Sequence, residues 1–351
     1  MKGRNAMEKL QRLLDQRKLP ALLSRHEMLQ ILLENVYGFL PPAPEEVHFD
    51  VQEKFIPIFC AGNAICNKVV AVCTLNSSTF SFPFYTAIPT DNKKHPFFVH
   101  INFRDNISDW YQPAEELIDN GFAVLSFNYK DVTSDDTDFT NGLAGLLYPD
   151  GVRKEAHDCG KIAMWAWAAH RVMDYAETLT EQLDLTTAVV CGHSRLGKTA
   201  LLTAATDERF TYAYSNGSGC AGAAITRMKL GERVKEICRD FPQWFCENYK
   251  NYIDHEENMP FDQHYLVASI APRKVMVGSA DGEHDPLAEQ LCCLAASPAF
   301  KTGFICPDRE AEVGDEFLEG DVAFQMRKGL HYFSRQDWQK LIKFVNLHRS
   351  N

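Results

Sequence analysis

Ser194 stands in Gly192-His193-Ser194, between a short apolar run (Leu185–Cys191) and an Ala- and Leu-rich stretch that begins at Thr199. A serine hydroxyl is a poor nucleophile near neutral pH unless a base takes its proton, and a carboxylate must orient that base. Both lie downstream. His331 sits in GLHYFSRQDW, just ahead of a helical pattern, and Asp281, Glu283 and Asp285 crowd the segment GSADGEHDP. Asp281, three residues after Gly278 and five before Pro286, is the expected acid. Glu283 and Asp285 are its rivals, and three acids so close together also suit a solvated loop. His193 adjoins the serine, but a neighbour in a tight turn points elsewhere.

These residues need a scaffold. Leu185–Cys191 reads as a buried parallel strand, and the residues after the turn read as helix. Strand, Gly-flanked turn with a central serine, then helix is the nucleophile elbow of α/β-hydrolases, whose triad runs serine, acid, histidine along the chain. The second glycine usual two residues past the serine is missing; Leu196 is there, and Gly197 comes one later. The expected fold is an α/β-hydrolase, a mostly parallel central sheet flanked by helices, in a single domain over residues 1–351. Residues 1–45 form an N-terminal helical segment ended by PPAPEE. VHFDV, FIPIFCA, KVVAVCTL and FFVHINF then give short strands that suit an antiparallel start. The loop from Asn102 to Asn106 should supply one oxyanion N–H, and the backbone N–H of Arg195 the other. GFAVLSFNY and KVMVGSAD are further strands, and residues 131–150 a polar rim. KIAMWAWAAHRVMDYAETL is a buried helix whose Trp165 and Trp167 belong to the core. Residues 225–265 are placed as a cap, residues 302–325 as a charged excursion, and QDWQKLIKFVNLH as the closing helix.

Composition narrows the function. The chain is 45% hydrophobic and 24% charged, which suits a globular enzyme, and its net charge of −11 argues against nucleic acid or an anionic membrane as partner. No run is long enough to span a bilayer. The N-terminal segment is charged throughout and lacks the apolar stretch of a signal peptide, and the eleven cysteines show no C-x-x-C, so the expected location is the cytoplasm.

Longer segments carry a resemblance. GHSRLGK, DERF (Asp207–Phe210), SNGSGCAGAA (Ser215–Ala224), FPQWF (Phe241–Phe245), DQHYLVASIAPR (Asp262–Arg273) and GLHYFSRQDW resemble the glucuronoyl esterases, particularly their bacterial branch. The resemblance implies His331 as the base and an Arg195 side chain that faces the oxyanion. It implies a Lys198 that hydrogen-bonds sugar hydroxyls, and a pocket lined by Gln243 and Trp244. Fungal members carry a glutamate where this chain has Gly217, and bacterial members often have an acid after the next strand. Many members carry a tryptophan near the sugar where this chain has Glu283, so that position is expected to touch substrate.

The expected activity is hydrolysis of glucuronic acid esters, on a small carbohydrate ester or oligosaccharide, without metal or organic cofactor. Removal of acetyl groups from sugars uses the same residues and is the alternative. A hydrolase fold kept only for binding is the second alternative.

Overall fold

The structure, a computed structural model, describes residues 8–104 and 112–349. The apolar runs become ten strands: β1 (Glu46–Ile56), β2 (Ala64–Leu75), β3 (Ser78–Pro89), β4 (His95–Asn102), β5 (Ala123–Asn128), β6 (Leu183–His193), β7 (Tyr212–Asn216), β8 (Lys274–Ala280), β9 (Glu316–Phe317) and β10 (Val322–Arg327). They join one sheet in the order β1-β2-β3-β5-β4-β6-β7-β8-β10-β9. The sheet begins antiparallel from β1 to β5. From β5 through β4, β6, β7 and β8 to β10 every pairing is parallel, and β9 closes the edge antiparallel. This is the α/β-hydrolase architecture the sequence implies.

Among the described residues ten helices flank it: α1 (Glu8–Asp15), α2 (Arg25–Leu32), α3 (Ala114–Asp119), α4 (Gly142–Leu147), α5 (Lys161–Ala176), α6 (Arg195–Thr206), α7 (Val234–Asp240), α8 (His264–Ala268), α9 (Pro286–Ala296) and α10 (Arg335–His348). The period of two along β4 sorts them. Phe97, Val99 and Ile101 point into the core that holds α5 and α6, whereas Phe98 points to the opposite face, against Phe122 and Trp338 of α10. All eight residues of β4 are buried, as a strand covered on both faces must be. In α5 only Asp174 escapes burial, and Trp165 and Trp167 are core, as expected.

Three expectations shift. Residues 59–62 of FIPIFCA form a tight 3₁₀ turn with left-handed backbone at Cys60 and Ala61, because Pro57 cannot donate to a ladder. β3 was concealed by its Ser, Thr and Pro content. Its Pro83 pairs with β2, while β5 reaches only Tyr85–Ala87, so the missing N–H faces no partner strand. β10 lies at the end of the charged excursion. The N-terminal helical segment appears as α1 and α2, and residues 225–265 hold α7, α8 and short 3₁₀ turns.

Candidate active site

The parallel strands end on one side, and the loops that leave them build the site. β6 delivers Ser194 on a backbone of φ 58°, ψ −125°, a left-handed conformation that β-carbon-bearing residues rarely adopt. The strain is held in place: Ser194 N–H donates to the Asn216 carbonyl on β7 (2.8 Å), and the Ser194 carbonyl accepts from Gly197 (2.9 Å) and Lys198 (3.2 Å). The turn also brings the helix back over its own entrance. A β-carbon on Gly192 would stand 2.2 Å from the Leu196 carbonyl oxygen, so no side chain fits there. Arg195 opens α6, and its N–H is among the first-turn donors that a helix cannot pair internally.

Ser194 and His331 line one cavity of about 320 Å³. His331 lies in the loop between β10 and α10, and that loop is tied down from several directions. Asp281 N–H donates to the Arg327 carbonyl (3.0 Å), Gly329 N–H donates to Asp281 Oδ1 (2.6 Å), and Arg327 Nε donates to Asp337 of α10 (2.8 Å). His193 stacks on the imidazole, ring centres 4.3 Å apart, and Asn216 Oδ1 bonds its Nδ1 at 2.7 Å. Burial first, then the nearby His331, pushes the His193 imidazole down to about 3, so it stays neutral beside His331.

The acid beside His331 is Glu283. Both of its carboxylate oxygens lie 2.9 Å from His331 Nδ1. Asp281, the expected partner, is turned the other way to hold Gly329. The cause is local: Glu283 N–H donates to the Ala280 carbonyl (3.0 Å), and this turn folds the chain back and points residue 283 into the cavity. Asp285 has a third task. Its Oδ1 accepts from Ala288 N–H and caps α9, while Oδ2 accepts from Leu230 N–H. Three acids in five residues thus hold a loop, an imidazole and a helix.

Gly217, after β7, makes room for that pair. Its φ is +53°, and a β-carbon there would lie 2.6 Å from Glu283 Oε1 and 3.3 Å from His331 Nδ1.

The remaining expected residues divide. Arg195 lines the cavity, but its guanidinium is ion-paired to Asp135 and lies 4.6 Å from the centre of the Trp244 ring. Asp135 also accepts from Tyr129 Oη (2.9 Å), Trp244 Nε1 (2.7 Å) and Gln243 Nε2 (3.3 Å). Burial alone would raise the Asp135 carboxyl. The Arg195 charge and the bonds from Trp244 and Tyr129 outweigh it and hold the group below the usual carboxylate range. Trp244 is a wall of the cavity, stacked on Phe241 at 3.9 Å, whereas Gln243 stands behind the wall. Lys198 reaches the cavity while buried, and its Nζ donates to the Ser218 carbonyl at 2.5 Å. Burial pulls its ammonium below the usual value, against the opposing pull of Glu232.

Asn102 is not on the cavity wall. Its amide donates to Ser126 Oγ (3.2 Å) and accepts from Arg104 N–H (3.2 Å) inside the sheet. Of its expected oxyanion loop, residues 105 and 106 lie outside the described residues. Asp135, Lys229, Glu232 and Glu289 were not singled out from the sequence. Their only signal is position in three dimensions, since they come from three separate places: the loop before α4 for Asp135, the loop before α7 for Lys229 and Glu232, and α9 for Glu289. Glu289 is fully buried. Its Oε1 accepts from Gly219 N–H (3.1 Å), and burial pushes its carboxyl up to about 7.

A family model for glucuronyl esterases of fungi matches residues 71–302. A carbohydrate esterase of an unknown prokaryotic organism is 36% identical over 240 residues, 67% of this chain and 55% of the relative. A 4-O-methyl-glucuronoyl methylesterase of Podospora anserina is 28% identical over 273 residues, 75% of this chain and 50% of the relative. The chain therefore spans about half the length of these curated relatives. Among solved structures, a glucuronoyl esterase from Solibacter usitatus superposes with a TM-score of 0.85 at 28% identity, over 93% of this chain and 92% of the other. A promiscuous CE15 esterase from a marine bacterial metagenome gives 0.81 at 29% identity, over 93% and 91%. With the elbow, the histidine loop and the sheet all in their places, the chain belongs to the glucuronoyl esterase family.

Proposed function

We propose that this chain is a serine carbohydrate esterase that cleaves an ester of glucuronic acid. Ser194 is the nucleophile, His331 the base and Glu283 the carboxylate that orients it. The observation that carries this reading is the pair of 2.9 Å contacts from Glu283 to His331 Nδ1, in a cavity that also holds the strained Ser194. A carboxylate on Nδ1 keeps the proton there and leaves Nε2 free to accept one. Ser194 Oγ attacks the ester carbonyl and its proton passes to His331. The developing oxyanion meets the N–H of Arg195, and the leaving alcohol departs with the proton from His331. Water then repeats the sequence on the acyl-enzyme and releases the acid. Glu283 keeps its charge throughout and stabilises the imidazolium.

For substrate, the family membership favours glucuronate esters. Arg195, Lys198 and Lys229 line the cavity beside Trp244, a combination suited to sugar hydroxyls and a ring face. The test is turnover of benzyl glucuronate against an aryl acetate, with Ser194→Ala as control. Glucuronate should be preferred in kcat/KM, and a serine-directed phosphonate should label Ser194 alone. Preference for the acetate would move the chain to the deacetylase reading. That reading draws support from Glu283, which stands where many family members carry an aromatic ring. Turnover that persists in Ser194→Ala would sink both.

A further inference from the structure

A second cleft of about 460 Å³ shares a wall residue, Lys229, with the active-site cavity. Its floor is basic. Two of its cations are already neutralised: Arg227 by Asp262 and Arg233 by Glu256. Three are not. Arg17 is only 8% exposed, its Nη1 donates to the Leu13 carbonyl (2.7 Å), and its Nε has no acceptor. The acids that act on it, Asp285 and Asp262, are engaged with Leu230 and α9 and with Thr226 and Arg227. Lys229 is 6% exposed and donates to the Leu230 carbonyl (2.8 Å). Lys18 stands at the exposed rim, and among the described residues none of these three forms an ion pair with a carboxylate. Against them stands Glu257, which faces His255.

A buried guanidinium whose Nε has no acceptor is costly, and a planar carboxylate is the group that matches its donors. Next to Lys229 on the cleft wall, Met228 is 59% exposed, an apolar surface that the C–H face of a sugar ring can cover.

We infer that this cleft is an extension subsite, in which Arg17, Lys18 and Lys229 hold the carboxylate of an acidic sugar residue belonging to the same oligosaccharide whose ester lies at Ser194. The inference rests on the carbohydrate-esterase reading but is tested apart from turnover. The full chain carrying Ser194→Ala is titrated calorimetrically with trigalacturonate, xylotriose and inorganic phosphate at low and high salt. Trigalacturonate should bind at least about tenfold more tightly than xylotriose and weaken with salt, as expected for a partly screened charge pair. Lys18→Glu, a surface change that leaves the core intact, should remove most of that difference, and Arg17→Gln, checked for folding by its melting curve, should do the same. Equal affinity for the two trimers, or no response to Lys18→Glu, overturns the subsite. Phosphate that binds as well as trigalacturonate and displaces it also overturns it, since the site would then select charge alone. Failure of the wild-type chain to cleave glucuronate esters would defeat the proposed activity and leave these binding results standing.

Discussion

Two turns flank the imidazole of His331, one after β7 and one after β8, and they serve it in opposite ways. The first withholds a side chain. Gly217 has φ +53° and no β-carbon, and the space a side chain would take is filled by the Glu283 carboxylate. The second turn supplies that carboxylate from the neighbouring strand. Fungal relatives of the kind the sequence resembles carry their acid on the first turn. A side chain on the first turn of this chain would enter the volume that Glu283 fills, since a β-carbon on Gly217 would lie 2.6 Å from Glu283 Oε1 and 3.3 Å from His331 Nδ1. On the proposed mechanism, what matters for His331 is a charge at that point in space, whichever strand delivers it.

The largest effect should come from the hydroxyl that both turns ultimately serve. Ser194→Ala is expected to lower kcat by about 10³-fold or more, because the covalent route disappears. Pre-steady-state and steady-state assays on a chromogenic ester would read it.

Next comes the choice of acid. Glu283→Gln should cost about 10²- to 10⁴-fold in kcat, since an amide can hold the wrong imidazole tautomer. Asp281→Asn should cost no more than about tenfold, because Asp281 holds Gly329 and acts only through the loop. A reversal of these two losses would return the role to Asp281 and break the comparison.

The glycine turn offers a sharper trial. Gly217→Ala forces a β-carbon to 2.6 Å from Glu283 Oε1 at a positive φ, so kcat should fall about tenfold and stability by about 1 kcal/mol. In a Glu283→Ala background, Gly217→Glu should instead recover about tenfold of the lost kcat, by refilling the same volume from the other turn. A double variant no better than Glu283→Ala would show that the two turns are not interchangeable.

The smallest effect on turnover, read in stability instead, concerns the latch between the turns. Glu289 of α9 accepts from Gly219 N–H, and its carboxyl is raised from 4.5 to about 7 by burial. A raised carboxyl binds more protons folded than unfolded, so its contribution to stability is complete below about 4.5 and is lost as pH rises through about 7. That contribution is roughly 3 kcal/mol. Melting curves from pH 5 to 8 should show a decline in the wild-type chain that is absent in Glu289→Gln, whose amide oxygen can still accept from Gly219. An identical decline in the variant would remove Glu289 from this account.

Local chemistry made part of this legible in the sequence. Ser194 was readable because strand, turn and helix are contiguous, and the strain at the serine needs only its neighbours. α5 and α10 were readable from composition and spacing, and β4 and β6 from continuous apolar runs that reflect cover on both faces. The order serine, acid, histidine narrowed the acid to five residues. Within those five the spacing to Gly278 and Pro286 favoured Asp281, whereas the structure sets Glu283 beside His331, because Asp281, Glu283 and Asp285 have the same chemistry and differ only in direction. A single turn closed by Glu283 N–H on the Ala280 carbonyl decided that direction. The same holds for Asp135, which gathers Tyr129, Arg195 and the neighbours Gln243 and Trp244 from three separate stretches, and for Lys198, whose ammonium was expected on the sugar and here donates to the Ser218 carbonyl. Residue type and local spacing determine which groups can do the chemistry. Turn geometry and packing between distant segments decide which group arrives where the proton has to move, because direction in a loop is set by contacts that residue type does not record.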